Sequence, residues 1–200
     1  PKRLTDDAGY YRKPVFTPDG KSIIALRSGI YDRAQQWWTS NQLPYSQNVI
    51  RLSSKGGKPE PIAELPHWEG TPAYMTYDWG RPHFTQKSDT VYLSTQTGLL
   101  EIPVNKGNIT NVVQIQTNSV FPLDSMAPVK GSQLSPDGKW ALVQNNGYLY
   151  VLAVPKTGIH NFTINLQNSS VPLKRLTDIG ADYFDWGADG KIIYWSIGSS

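Results

Sequence analysis

Residues 131–144, GSQLSPDGKWALVQ, contain a short strand-like stretch, a tight turn and a second stretch rich in apolar residues. The turn is Ser135-Pro136-Asp137-Gly138. In such a turn proline presets φ at about −65°, the aspartate bonds nearby backbone, and glycine accepts a positive φ. The segment therefore predicts a β-hairpin, with Asp137 as a turn former and not a catalyst.

The same pattern recurs along the chain. Three further copies are PVFTPDGKSIIALR from residue 14, PHFTQKSDTVYLST from residue 82 and YFDWGADGKIIYWS from residue 183. The four copies align on Phe16, Phe84, Leu134 and Trp186. The last three are spaced by roughly 50 residues, close to the length of a four-stranded propeller blade, and a longer first spacing indicates an insertion. The sequence predicts an all-β chain, a β-propeller of four-stranded antiparallel blades.

Further strand-like stretches complete each repeat, giving about three and a half blades, a partial propeller. The predicted blade units are approximately 12–65, 81–116, 130–177 and 183–200. The phrase KRLTD occurs at Lys2 and again at Lys174, each time ahead of a hairpin. Residues 2–5 are therefore expected to be the outer strand of a preceding blade. No sustained helical period of apolar residues is present.

Composition excludes several classes of protein. The 200 residues are 12% aromatic and 18% charged, with 17 glycines and 15 prolines, which favours strands and turns. A net charge of +3 is too small to indicate nucleic-acid binding. The absence of cysteine excludes disulfides, zinc-thiolate sites and cysteine nucleophiles. No apolar run approaches the roughly 18 residues of a membrane span. Because Pro1 is not methionine, we expect a piece of a longer polypeptide.

The RLT strand, a loop and a P-x-F-S/T-P-D-G-K hairpin together resemble the TolB-like class of β-propeller repeats. The final stretch, PLKRLTDIGADYFDWGADGKIIYWSIGSS, is similar to the last propeller segment of bacterial TolB-type amidohydrolases. This resemblance implies a propeller that precedes a metal-dependent hydrolase barrel. It also implies that the parent protein is exported or periplasmic.

The residues of this chain indicate no chemistry of their own. An amidohydrolase centre needs a His-x-His pair, and no two of His67, His83 and His160 are separated by a single residue. A metal site of His67 and His83 with Glu69 or Asp78 is disfavoured, because the gap has no spacing that places both imidazoles on one face. There is also no Gly-x-Ser-x-Gly nucleophile elbow. We expect no catalytic, cofactor-binding or metal-binding residues here.

One insertion, residues 28–47, is unusually rich in aromatic residues. Interface hot spots favour Trp, Tyr and Arg, so a possible interface comprises Tyr31, Arg33, Trp37, Trp38 and Tyr45. A second interpretation is that this segment forms a short helix whose aromatic residues pack on the propeller itself. The sequence leaves both interpretations open.

The sequence-based hypothesis for function is a non-catalytic propeller module, a docking platform or lid for an amidohydrolase domain outside this chain. One alternative is the gating propeller of a prolyl-oligopeptidase-type serine peptidase, and another is a stand-alone protein-binding propeller of the cell envelope. The expected partner is a protein or a neighbouring domain, without nucleic acid, membrane span or cofactor. Unpaired blade edges also favour self-association.

Overall fold

The computed structural model describes residues 2–30, 47–65, 80–95, 98–116, 129–155 and 162–198. These residues form strands β1 (Tyr10–Phe16), β2 (Ser22–Ser28), β3 (Asn48–Ser53), β4 (Glu60–Glu64), β5 (Thr90–Thr95), β6 (Gly98–Pro103), β7 (Thr110–Gln116), β8 (Gly131–Leu134), β9 (Trp140–Asn145), β10 (Tyr148–Ala153), β11 (Phe162–Asn165), β12 (Leu173–Arg175), β13 (Tyr183–Trp186) and β14 (Ile193–Ser196). Among them, no helix has the length and apolar character needed to cross a membrane.

The strands form three four-stranded sheets and one two-stranded sheet, which we call blades 1 to 4. Blade 1 has the order β1-β2-β3-β4, blade 2 the order β11-β7-β6-β5, blade 3 the order β12-β10-β9-β8, and blade 4 contains β13 and β14. All neighbouring strands are antiparallel except β11, which pairs parallel to β7. The predicted all-β fold of four-stranded blades, with a final half blade, is confirmed.

The repeated turns have the expected chemistry. The Ser135 hydroxyl donates to Asp137 Oδ1 at 2.6 Å, and the same oxygen accepts the backbone N–H of Lys139 at 3.1 Å. These bonds lower the pKa of Asp137 to about 2, led by the bond from Ser135. Gly138 has the positive φ of 69° that the turn requires. Thr17 and Asp19 repeat this arrangement in blade 1, so these aspartates are turn formers.

Blade 2 departs from the repeat at both of its edges. Its innermost segment is a single antiparallel bridge between His83 and Tyr92, because the degenerate turn 86–89 lacks the proline and the glycine of the other copies. At its outer edge, β11 adds a parallel strand. This strand, Phe162–Asn165, lies within the predicted blade unit 130–177 but pairs with β7 of blade 2. By covering the edge of β7, β11 removes an exposed row of backbone hydrogen-bonding groups.

Adjacent blades pack face to face, and the core lies between them. The cluster shared by blades 1 and 2 contains Ile24, Leu26, Val49, Ile62, Leu65, Val91, Leu93, Leu100, Ile102 and Val104. The cluster shared by blades 2 and 3 contains Tyr92, Leu99, Val113, Ile115, Val129, Leu134, Ala141, Val143, Leu152 and Ile164. Each fully buried leucine or isoleucine stabilises the fold by about 1.5–3 kcal/mol. This packing fixes the inner edges of the blades relative to one another.

The first residues of the chain lie beside blade 1. Residues 2–5 form no strand, and the Leu4 carbonyl accepts the backbone N–H of Gly57 at 2.8 Å. Leu4 also packs against the small cluster of Ala25, Ile50 and Leu52 on the outer face of this blade. By contrast, the second RLT copy supplies β12, the outer strand of blade 3. Assignment of residues 2–5 to a preceding blade stays a prediction, as do the blade boundaries.

Candidate active site

The inner edges of all four blades line one cavity of about 1180 Å³, which we call the channel. Its wall uses equivalent positions of the repeat. In each repeat, two residues line the channel: the one directly before the aligned apolar residue and the one three places before it. These residues are Lys13, Val15, Arg81, His83, Gly131, Gln133, Tyr183 and Asp185. Side chains alternate along a strand, so positions one and three share a face. The channel is thus a property of the repeat and not of one loop.

The wall between blades 2 and 3 is held by His83. Its Nε2 accepts the backbone N–H of Leu134 at 3.0 Å, so the ring proton resides on Nδ1, which lies 3.4 Å from the carbonyl oxygen of Arg81. The side chain is buried, and this burial lowers the pKa of His83 to about 4, against smaller opposing effects of the Arg81 carbonyl and of Asp185. His83 is therefore a neutral structural acceptor in the wall.

A buried serine pair joins the same two blades. The hydroxyls of Ser94 and Ser132 lie 2.9 Å apart, and Ser94 Oγ accepts the backbone N–H of Ser132 at 2.8 Å. The Ser132 hydroxyl also lies 2.8 Å from the carbonyl oxygen of Gly98. Gly98 has a φ of 143° and approaches Val113 closely, which leaves no space for a side chain. These bonds satisfy polar groups that burial would otherwise leave unpaired.

Asp185 is the best-oriented carboxylate of the channel. Its Oδ1 accepts the side-chain amide of Gln133 at 2.6 Å and its neighbour Trp186's backbone N–H at 2.8 Å. Both bonds fall on one oxygen, and Oδ2 accepts no hydrogen bond from the part of the chain that the structure describes. Asp185 is exposed in the channel wall. Residues of β8 and β13 therefore hold one carboxylate oxygen of Asp185, and the other has no hydrogen-bond partner among the described residues.

Cations and aromatic rings share this cavity with Asp185. Lys13, Arg81 and Lys130 supply positive charge. Tyr183, Tyr194 and Trp195 line the same space with exposures of 65%, 59% and 50%. An exposed aromatic ring offers an apolar face and, for tyrosine and tryptophan, a polar tip. A flat, hydroxyl-bearing ligand could stack on such faces while its polar groups meet the charges.

A second cavity, of about 520 Å³, lies between the outer hairpins of blades 1 and 2 and is called the groove. Arg51 donates to Glu60 Oε2 and to Asn105 Oδ1, each at 2.8 Å. The bond from Arg51 and its charge lower the pKa of Glu60. Lys58 and Lys106 complete the cationic wall, which contains two prolines and no aromatic residue.

The sequence-based metal site is not assembled from His83. His67, Glu69 and Asp78 lie outside the described residues, and Nε2 of His83 is occupied by the Leu134 N–H. Within the described ranges, no three His, Cys, Asp or Glu side chains meet in a group suited to a metal ion.

The predicted interface also lies outside the described part of the chain. Tyr31, Arg33, Trp37, Trp38 and Tyr45 all fall within residues 31–46. Sequence reasoning missed the channel residues, although a signal for them existed. When the four repeats are aligned, the positions one and three residues before the aligned apolar residue are the ones that line the channel.

Solved structures share the fold of this chain at low identity. An oligogalacturonate lyase in complex with manganese matches with a TM-score of 0.60 and 12% identity, over 96% of this chain and 49% of that chain. A putative 6-phosphogluconolactonase from Bacteroides fragilis matches with a TM-score of 0.51 and 16% identity, over 94% and 47%. A periplasmic gluconolactonase from Pseudomonas aeruginosa matches with a TM-score of 0.48 and 19% identity, over 94% and 47%. The chain thus spans about half the length of these structures.

No family model matches the sequence, and no curated protein matches it. The predicted membership of the TolB-type amidohydrolase propellers is wrong, since the similar structures are lactonase-like and lyase propellers. The physical reason is that Pro-Asp-Gly turns and RLT strands belong to blade construction, and any four-stranded blade can use them.

The predicted non-catalytic role is also overturned. The two structures that share this fold with TM-scores above 0.5 are named as a lyase and a putative lactonase, and neither name is that of an amidohydrolase. The expectation that this chain has no catalytic role of its own, with the hydrolase domain outside it, arose from a search for histidine and serine motifs. Such a search does not detect a site distributed over separate blades. At these identities the likeness establishes the fold alone, so activity must be argued from the channel residues.

Proposed function

We propose that the channel binds a carbohydrate ring and that this chain is part of an enzyme that hydrolyses a cyclic sugar ester, a lactone. The observation that carries the proposal is Asp185, which lines a cavity with cations and aromatic rings. Its Oδ1 is held by Gln133 and the Trp186 N–H, and its Oδ2 has no hydrogen-bond partner among the described residues. A general base must be oriented and within reach of its substrate, and Asp185 meets the first requirement already.

The reaction that fits these groups is base-assisted attack of water on the lactone carbonyl. Asp185 Oδ2 accepts a proton from water as the water oxygen bonds to the carbonyl carbon. The developing oxyanion is stabilised by the positive charge of Arg81 and Lys130. The ring C–O bond then breaks, and the ring oxygen takes the proton back from Asp185 and leaves as a hydroxyl. The product is an open-chain hydroxy acid, and the carboxylate is regenerated.

The aromatic residues supply the binding surface for the sugar. Tyr183, Tyr194 and Trp195 lie on the last two strands, line the channel and are at least half exposed. The names of the similar structures agree with this ligand class, because a lactonase and an oligogalacturonate lyase both act on carbohydrate substrates.

The test is hydrolysis of glucono-1,5-lactone by the chain, followed as acid release and corrected for the spontaneous reaction. We expect Asp185→Asn to reduce kcat by at least about 100-fold, since it removes the base and keeps the shape. Asp189→Asn is the matched control, because Asp189 is a turn carboxylate of the same blade that bonds the Lys191 N–H. Equal activity of the two variants would reject Asp185 as the base.

Three sequence-based expectations remain proposals alongside this function. The parent protein is exported or periplasmic. The segment with Tyr31, Trp37 and Trp38 docks a protein or domain. Chains of this length associate through uncovered blade edges.

A further inference from the structure

Lys13 lies at an irregular point of the inner strand of blade 1. The pairing of β1 with β2 runs from Arg12 opposite Leu26 to Val15 opposite Ile24, so two residues of β1 face one residue of β2. This is a β-bulge, and Lys13 is its first residue, with a φ of 51°. The next residue, Pro14, has no N–H to donate to the ladder.

A left-handed backbone at this point is unusual for lysine. The other two non-glycine residues with positive φ in the described ranges are Lys106 and Asn146, and both lie in hairpin turns that require such a conformation. Lys13 is within a strand. A bulge of this kind normally carries glycine at its left-handed position, since a Cβ is strained there. Lysine therefore occupies a position where the backbone favours glycine.

Lys13 lines the channel from this bulge. Lys13 lines that cavity, together with Phe16 of the same strand and with Tyr194 and Trp195 of blade 4. Bulges redirect side chains and are frequent beside active sites, and backbone strain concentrates where function requires it. A cavity that is lined by a lysine and by exposed aromatic rings suits a ligand that combines a ring with a negative charge.

We infer that Lys13 anchors an anionic substituent of the bound sugar, a carboxylate or a phosphate, and thereby makes acidic sugars the substrate class of the channel. This inference rests on the proposed carbohydrate site and deepens it. Asp185 is the general base for hydrolysis, and Lys13 determines which sugars bind. Arg81 and Lys130 stabilise charge that develops at the carbonyl and do not read the substituent.

Three ligands that differ only at C6 test this selection: glucose, glucuronate and glucose 6-phosphate. We expect the chain to bind at least one of the two anions ten or more times tighter than glucose, as measured by titration calorimetry. Lys13→Met should abolish that preference, so that neither anion binds tighter than glucose, whereas Lys13→Arg should keep it. The anion that loses affinity in Lys13→Met identifies the substituent as carboxylate or phosphate.

Lys106 provides the matched control, because it is also a lysine with a left-handed backbone in a cationic cavity. We expect Lys106→Met to leave all three affinities unchanged. Lys13→Gly should raise the melting temperature by relieving the bulge while losing the preference for anions. A lower melting temperature in Lys13→Gly would assign Lys13 a structural role and overturn the inference.

Failure of this inference differs from failure of the proposed function. If the chain binds the three ligands equally, or if Lys13→Met keeps the anion preference, Lys13 does not select the substrate. Hydrolysis of the neutral glucono-1,5-lactone that depends on Asp185 would then persist. If that hydrolysis is absent as well, the proposed function itself is wrong.

Discussion

The channel and the groove both collect three cations, but they use them differently. In the groove, Arg51 is engaged by Glu60 and Asn105, and prolines form the remaining wall. In the channel, cations share the wall with exposed aromatic rings and with an oriented carboxylate. Positive charge alone therefore does not define a binding site. A carbohydrate enzyme needs charge, an apolar face and a base in one cavity.

The largest difference between the channel and the groove is expected when two cations are removed from each cavity in separate variants. We expect Arg81→Met with Lys130→Met to lower kcat/KM for lactone hydrolysis by about 100-fold or more, since oxyanion stabilisation is lost. The groove pair Lys58→Met with Lys106→Met should leave kcat/KM unchanged. Steady-state kinetics on the two double variants measures both effects. Equal losses would mean that the cations act through the overall field and not through the channel.

The stability of the chain should also depend on pH through a residue of the channel wall, His83. Burial lowers the pKa of His83 to about 4, so the unfolded chain binds a proton at this residue between about pH 6.5 and 4 and the native chain does not. The contribution of His83 to stability is complete above pH 6.5 and is lost as the pH falls toward 4. A shift of this size corresponds to about 3 kcal/mol of unfolding free energy.

Denaturant unfolding at a series of pH values measures this loss. Asp185 is the charged side chain that favours His83 protonation, and the Arg81 carbonyl acts in the same direction. His83→Gln keeps an acceptor for the Leu134 N–H without titrating, so its stability should depend less on pH in this window. If the unfolding free energy of His83→Gln depends on pH as strongly as that of the unchanged chain, another group causes the dependence.

A smaller effect should distinguish the aromatic face of the channel from aromatic residues elsewhere. We expect Trp195→Ala to weaken sugar binding by about two- to tenfold, since a stacking face is worth about 0.5–1.5 kcal/mol. Trp140 is the matched control, because it is 40% exposed on β9 and does not line the channel. Trp140→Ala should leave the affinity unchanged. Titration calorimetry with glucuronate compares the two, and equal losses would remove the stacking surface from the account.

Much of the fold could be predicted from the sequence because turn chemistry is local. Ser135-Pro136-Asp137-Gly138 specifies a hairpin through bonds within six residues, and four aligned copies then imply blades. The parallel strand β11 could not be predicted in this way. Its partner β7 lies in a different blade, and its sequence, FTIN, is too short to carry a pattern.

The site was harder to predict because its members are far apart in sequence. Lys13, Gln133 and Asp185 come from three blades, and only the alignment of the repeats relates their positions. The histidine that mattered, His83, does not bind a metal but accepts a backbone N–H from the next blade, which only the packed structure shows. The bulge at Lys13 also depends on pairing with β2. Local chemistry thus predicts the blades, whereas the channel arises from how the blades assemble.

The most direct measurement of the central claim is a titration of the isotope-labelled chain with gluconate, the product of lactone hydrolysis, followed by amide and indole chemical shifts. We expect saturable chemical-shift changes at the Gln133 and Asp185 amides and at the Trp195 indole. No such change is expected at Arg51 or Lys106 of the groove. Shifts confined to the groove, or no saturable shift at any channel residue, would contradict it.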